Sequence, residues 1–233
     1  MGISVIVPVA SGDQSWANLL PDLKPLHAED EIIFISPDPE TQGFRDAVRS
    51  NNIPATTKWV ESAQGRARQL NVGAAHSTKE FFWFLHCDSR AGLDSVEALK
   101  SSLISNHDAV LFLDLKFLGD GPAFMAVNSF GAWFRSRILR LPFGDQGLCV
   151  SKTVFNELGG FDEAAPYGED HLFVWKAHQK RIPLVCVGKK LFTSARKYQE
   201  RGWAMTTSLH VWLTFRQALP QLAILLRNRW EER

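Results

Sequence analysis

A chain of 233 residues with 45% hydrophobic content can bury a sizeable core, and it fits one large α/β domain better than two. A formal charge of +1, with no basic arm, acidic tail or low-complexity segment, argues against nucleic acid as a partner. The three cysteines, Cys87, Cys149 and Cys186, lie far apart in apolar settings without zinc spacing, and read as free thiols of a reducing compartment.

Residues 3–9 are too short, and lack a preceding basic residue, for a signal peptide. No window approaches the roughly 20 apolar residues needed to span a bilayer. The expected location is cytoplasmic. Residues 3–9 read instead as a first buried strand, punctuated by Pro8. A helix is expected around 16–23, then a second buried strand at 31–35, which Ser36-Pro37-Asp38-Pro39 ends sharply. A helix over 41–50, a strand at 56–60, a polar turn at 61–65 and a helix over 66–75 follow.

These lead to residues 80–89, EFFWFLHCDS, around which the chain is organised. Five bulky apolar residues with no polar face suit a strand buried on both sides of a parallel sheet. Ligands of open α/β sheets sit beyond the carboxyl ends of the strands. Asp88 would lie there, able to hold a divalent cation through its oxygens or to start a turn as an N-cap. Strands separated by helical stretches imply βαβ units, whose right-handed crossovers bring the strand ends to one edge.

The second half is less regular. A helix is expected at 94–105 and a strand at 109–114. Apolar residues recur at helical spacing over 123–141, with Arg135, Arg137 and Arg140 on the other side. A short strand at 147–150 and a helix at 152–158, closed by Gly159-Gly160, come next. Glu169-Asp170 opens a helix running to about 180, where acids suit the helix dipole and could equally be held for proton abstraction. Asp145 sits in Phe143-Gly144-Asp145-Gln146-Gly147, which is either a plain turn or a close approach to a ligand. After a short strand at 190–192, Arg196 and Lys197 form a basic pair suited to phosphate or to a solvated surface.

Taken in order, SVIVPV, EIIFISPD, GRARQLNVGAA, FFWFLHCDS, GDQGLCVSKTVFNELGGFDE, GEDHLFVWK and TSARKYQERG resemble a family 2 glycosyltransferase with the GT-A fold. More narrowly they resemble its small bacterial and cyanobacterial branch, over about residues 2–203. The resemblance implies an α/β fold with a mostly parallel sheet flanked by helices. It implies a single domain over 1–233: a nucleotide-binding half to about 90, an acceptor and catalytic half over 91–200, and a C-terminal helix over 203–233.

It further implies inversion at the anomeric carbon in one displacement, moving a sugar from a nucleotide-diphosphate donor to an acceptor hydroxyl. Pro8, Val9, Ala10 and Asp38 then match positions near base and ribose, and Arg66 a basic residue near base or diphosphate. His86 and Asp88 replace the usual Asp-x-Asp, leaving Asp88 as the expected carboxylate for Mg²⁺ or Mn²⁺, with His86 beside it as a second ligand or a core histidine. Asp145 and Gln146 would face donor sugar or acceptor. Asp170, with Glu169 beside it, matches the general base, and Arg196 and Lys197 would neutralise the departing diphosphate. Two other readings stay in view: a non-catalytic nucleotide-sugar-binding protein, and a sugar nucleotidyltransferase. Against the latter, Ala10 to Gln14 has one Gly and no base where a triphosphate loop is expected.

Residues 206–229 read as a helix kinked at Pro220, mixing Leu, Trp212 and Phe215 with Arg216, Arg227 and Arg229, and followed by Trp230 and Arg233. Such a helix either packs on the domain or on a second copy in a homodimer, or lies on a membrane as a peripheral contact on its inner face. A lipid-linked acceptor would fit the membrane alternative.

Overall fold

The computed structural model describes residues 1–231. In chain order they form β1 (Ile3–Pro8), α1 (Trp16–Leu19), β2 (Glu31–Ser36), α2 (Gln42–Asn51), β3 (Thr56–Glu61), α3 (Arg66–His76), β4 (Phe81–Phe84), β5 (Arg90–Ala91) and α4 (Ser95–Ser105). There follow β6 (Val110–Phe117), α5 (Met125–Arg137), a 3-10 turn (Gly144–Gln146), β7 (Cys149–Ser151), α6 (Lys152–Leu158), α7 (Glu169–Gln179), β8 (Leu184–Thr193), α8 (Arg196–Arg201) and α9 (Trp203–Glu231). The expected helix positions 232 and 233, with Arg233, lie outside the described residues.

One eight-stranded sheet runs in the order β3-β2-β1-β4-β7-β6-β8-β5. β1, β2, β3 and β4 pair in parallel, as do β6 and β8, whereas β7 is antiparallel to both its neighbours and β5 to β8. Alternation along the strands builds a core on each face. Ile3, Val5, Val7 and Trp83 join one apolar cluster, and Ile6, Phe82 and Phe84 the other. Among the described residues, no helix is long and apolar enough to cross a membrane. The cysteines are free thiols.

β7 is an antiparallel strand within this mostly parallel sheet, and its direction is informative. Phe84 N–H donates to Leu148 O at 2.8 Å, so β7 starts where β4 ends. The turn that feeds β7 therefore sits at the same sheet edge as the carboxyl ends of β1, β2, β4, β6 and β8.

Several boundaries also shift. The strand expected at 190–192 is the end of a ten-residue strand, β8, masked in sequence by Gly188, Lys189 and Lys190. The final helix starts at Trp203 and continues through Pro220. The expected apolar inner face of 123–141 is overturned. Met125, Ser129, Ala132 and Ser136 are the buried residues of α5, while Phe130, Trp133 and Phe134 are exposed and Arg135 turns inward. Small residues let α5 lie close on the sheet, which leaves its large side chains outside.

Candidate active site

A cavity of about 460 Å³ opens at the sheet edge, and among its lining residues are Arg66, His86, Asp88, Asp145, Asp170 and Lys197. Arg196 lines it as well, while Glu169, almost buried, stands behind Arg66. Residues expected from distant motifs thus meet around one space.

The first half contributes Arg66 from the start of α3 and His86 and Asp88 from the loop after β4. Arg66 Nη1 lies 2.9 Å from Glu169 Oε1, and Nη2 lies 3.8 Å from Asp170 Oδ2. His86 Nε2 meets the same guanidinium. Burial, then the Arg66 charge, push the His86 imidazole well below its ordinary range, so it is neutral.

Asp170 is held from three sides. Gly144 N–H donates to its Oδ2 at 2.5 Å, and His171 N–H to its Oδ1 at 2.9 Å. Burial pushes this carboxyl up, but Arg66 and the two backbone donors prevail and hold it below the ordinary carboxylate range. Glu169 goes the other way: burial raises it, and Arg66 only partly offsets the rise. A side chain here would force a shift, because a Cβ at position 144 would stand 2.8 Å from Asp170 Oδ2 and against Arg66 Nη2.

Asp145 also lines the cavity, its carboxyl raised by burial and opposed by Arg135. Arg135 was expected on an outer helix face, yet its guanidinium stacks 3.2 Å from the centre of the Phe143 ring. Gln146 is fully buried: its amide donates to Leu113 O at 2.9 Å and its Oε1 accepts from Phe143 N–H at 3.3 Å. It braces the turn that presents Asp145.

The basic pair is aimed by Asp120, whose carboxylate accepts from Ser194 Oγ at 2.6 Å and from Ala195 N–H at 2.8 Å. Pro8, Val9, Ala10 and Asp38 lie at the same edge but outside the cavity lining. Asp38 accepts from Ser11 Oγ at 2.8 Å and Gly12 N–H at 2.7 Å, so its carboxylate shapes the loop after β1.

Sequence reading missed the roof. His210, Leu213, Thr214 and Gln217 of α9 line the cavity. Gln217 donates to Tyr167 O at 2.9 Å and accepts from His171 Nδ1 at 2.8 Å, while Trp175 Nε1–H donates to His171 Nε2 at 2.8 Å. These bonds fix one neutral tautomer of His171, whose ionisation burial disfavours. Gly168, at φ +62°, lets the backbone pass beneath Gln217. Nothing in sequence tied residues about half a hundred positions apart.

Asp88 is the carboxylate of this cavity placed to meet a divalent cation. Burial raises the Asp88 carboxyl, and Lys197 only partly offsets the rise, so a cation at this oxygen would relieve a buried charge. Among the described residues no three His, Cys, Asp or Glu side chains are grouped to hold a metal. The fit is therefore to an ion held by one carboxylate and completed by phosphate oxygens and water, the usual manner of Mg²⁺ at nucleotide sites. His86 Nε2, turned on Arg66, is not placed for such an ion.

No protein-family model matches the sequence, and no curated protein matches it. Solved structures do resemble it. TarS of S. aureus aligns with TM-score 0.65 and 19% identity over 83% of this chain and 37% of that chain. TarS residues 1–349 in complex with UDP-GlcNAc give TM-score 0.63 and 20% identity over 83% of this chain and 58% of that one. The mannosyltransferase PcManGT of Pyrobaculum calidifontis, in complex with GDP-Man and Mn²⁺, gives TM-score 0.70 and 16% identity over 97% of this chain and 68% of that chain. The chain thus spans less than two thirds of the length of TarS. At these identities the likeness is one of fold, and the fold is the GT-A type: α/β, with a helix-flanked sheet and a C-terminal helix.

Proposed function

We propose that the protein is an inverting glycosyltransferase that moves a sugar from a nucleotide-diphosphate donor to an acceptor hydroxyl with the help of a divalent cation. The observation that carries this reading is the meeting of Asp88 and Asp170, from opposite halves of the chain, in the lining of one cavity that also holds Arg196 and Lys197. Fold likeness to structures bound to UDP-GlcNAc and to GDP-Man with Mn²⁺ supports it.

In this reading Asp170 takes the proton of the acceptor hydroxyl as that oxygen attacks the anomeric carbon. The carbon–oxygen bond to the diphosphate breaks, and its electron pair leaves with the phosphate. Arg196 and Lys197 receive the growing negative charge, which fixed cations stabilise better in a partly enclosed site than water does. A cation at Asp88 would add Lewis-acid stabilisation of the same leaving group. The lowered pKa of Asp170 keeps it a carboxylate at neutral pH, available to accept a proton. Glu169 fixes Arg66, and Arg66 sets the charge on Asp170.

The test is a thermal-shift screen of nucleoside diphosphates with and without Mn²⁺, followed by transfer assays. A diphosphate at a hundred times its dissociation constant should stabilise the fold by about 2.7 kcal/mol. Asp170→Asn should lower transfer by about 10²–10⁴-fold with nucleotide binding nearly intact. Asp88→Ala should abolish transfer and remove the Mn²⁺ dependence of the shift. Wild-type turnover in either variant contradicts the assignment.

A further inference from the structure

Helices α5 and α9 turn most of their large apolar side chains outward. Along α9 the residues turned toward the domain mix the polar Thr206, His210, Thr214, Gln217 and Gln221 with Leu213 and Leu225. Its outward side exposes Trp212 (54%), Phe215 (62%), Leu219 (63%) and Trp230 (81%). In α5 the buried positions are Met125, Ser129, Ala132 and Ser136, whereas Phe130, Trp133 and Phe134 are exposed. The two helices are joined through Asn128, whose amide donates to Thr207 Oγ1 at 3.1 Å and accepts from Trp203 Nε1 at 2.6 Å. Among the described residues, all the exposed large apolar side chains belong to these helices and the segments beside α5, except Met1, Leu93 and Ile104. A helix facing water carries the opposite pattern, and an apolar surface of this extent marks a contact.

The charge of this face is mostly basic. Beside α5 the exposed cation is Arg140, since Arg135 turns inward onto Phe143 and Arg137 is paired with Asp114 at 2.7 Å, and residues 123–141 contain no acid. Residues 203–231 contain Arg216, Arg227 and Arg229 against Glu231 alone. Arg216 stands 5.2 Å from the centre of the Trp212 ring, an aromatic and a cation presented together.

We propose that the outward face of α5 and α9 lies in the interface of an anionic lipid bilayer, with the aromatic side chains at the acyl boundary and the arginines at headgroup phosphates. Two-fold pairing of the face with itself would set arginine against arginine, which disfavours a second copy as the occupant. The helices lie on the bilayer and do not cross it, since no helix among the described residues is long and apolar enough to span one. The polar side of α9 lines the cavity, so the bilayer surface comes within about one helix diameter, ~10 Å, of it.

The test is co-sedimentation of the purified full chain with vesicles of phosphatidylcholine alone, or of phosphatidylcholine with phosphatidylglycerol. The chain should pellet with the anionic vesicles and several-fold less with neutral ones, and the bound fraction should fall as salt rises. The double variant Trp212→Gln, Phe215→Gln, both exposed, should keep its circular dichroism and melting temperature yet lose at least about tenfold in vesicle affinity. A wild-type chain left in the supernatant with both vesicles overturns the proposal. So does undiminished binding by the folded double variant, or a dimer in light scattering that this variant abolishes. None of these readouts involves sugar transfer, so failure here and failure of the transferase reading are separate results.

Discussion

Arg66 Nη1 stands 2.9 Å from Glu169 Oε1, joining the first residue of α3 to the first residue of α7 across the sheet edge. Its other terminal nitrogen faces Asp170, and His86 crowds the same guanidinium. One cation thus lowers the ionisation pKa of all three neighbours, against burial at the two carboxyls and together with it at His86. Glu169 and Asp170 are adjacent in sequence but ionise differently: Arg66 and the Gly144 and His171 N–H groups hold Asp170 down, whereas burial and the neighbouring Asp170 charge raise Glu169 against Arg66.

The first prediction concerns that cation. Burial alone would raise the Asp170 carboxyl, and Arg66 is the largest influence holding it down. In Arg66→Met the Asp170 pKa should rise, so the acid limb of the transfer pH profile should move to higher pH. Arg66→Lys should move it less. The sign for stability follows the same logic. A carboxyl depressed in the fold stabilises it fully above the ordinary 3.8 and loses that contribution as pH falls through the lowered value. An acid limb unmoved in Arg66→Met would show that Asp170 is not the titrating base.

Gly144→Ala tests the close approach itself. A Cβ there would stand 2.8 Å from Asp170 Oδ2 and 3.1 Å from Asp170 Cβ, so the carboxylate must shift. We expect a stability loss of about 1–3 kcal/mol, the usual cost of overpacking. A displacement of about 1 Å of a catalytic group should also lower transfer by up to ~10²-fold. Paired melting and turnover measurements check both, and an unchanged variant would mean that the contact is slack.

Much of the frame was legible in sequence, for a physical reason. β1, β2 and β4 are buried on both faces and carry mainly apolar runs, and their order places Asp88 at the sheet edge. The turn before β7 was legible as a glycine-flanked acid, but not the direction of β7, because a three-residue strand encodes no sense of pairing. Arg135 was misjudged because α5 keeps small residues inside and large ones outside, against the usual helical pattern. Gln217 and His171 stayed hidden because their meeting depends on where α9 lies over α7, which no local pattern records.

Glu31 offers a prediction about stability remote from the cavity. Its buried carboxylate accepts from Ser4 Oγ at 2.6 Å, Thr78 N–H at 2.6 Å and Lys58 Nζ at 2.7 Å. Burial would raise its pKa, but Lys58, Ser4 and Thr78 overcome this and bring it from 4.5 down to about 2. The stabilisation is therefore complete above 4.5 and disappears as pH falls toward about 2. Glu31→Gln should cost about 1–3 kcal/mol near neutral pH, where it breaks a buried charge-assisted network. The gap between variant and wild type should narrow in denaturant melts across that acid window. A gap independent of pH would show that packing, and not the charge, is what Glu31 supplies.

The last prediction concerns the roof. Gln217 donates to Tyr167 O and accepts from His171 Nδ1, so it ties α9 to the loop and helix that present Asp170. In Gln217→Leu the His171 Nδ1–H and the Tyr167 carbonyl both lose their partner. Each unsatisfied buried group costs about 1–3 kcal/mol, less where water can enter from the cavity. The apolar replacement should therefore destabilise more than Gln217→Asn or Gln217→Ser, which leave room for a water between the polar groups. Turnover should fall with the acceptor KM rising, since the wall beside His210 and Thr214 loosens while Arg196 and Lys197 on α8, the residues proposed to meet the diphosphate, stay in place. The discriminating measurement is the ratio of donor to acceptor KM in Gln217→Leu. Equal changes in both would mean that α9 supports the whole fold and not one side of the cavity.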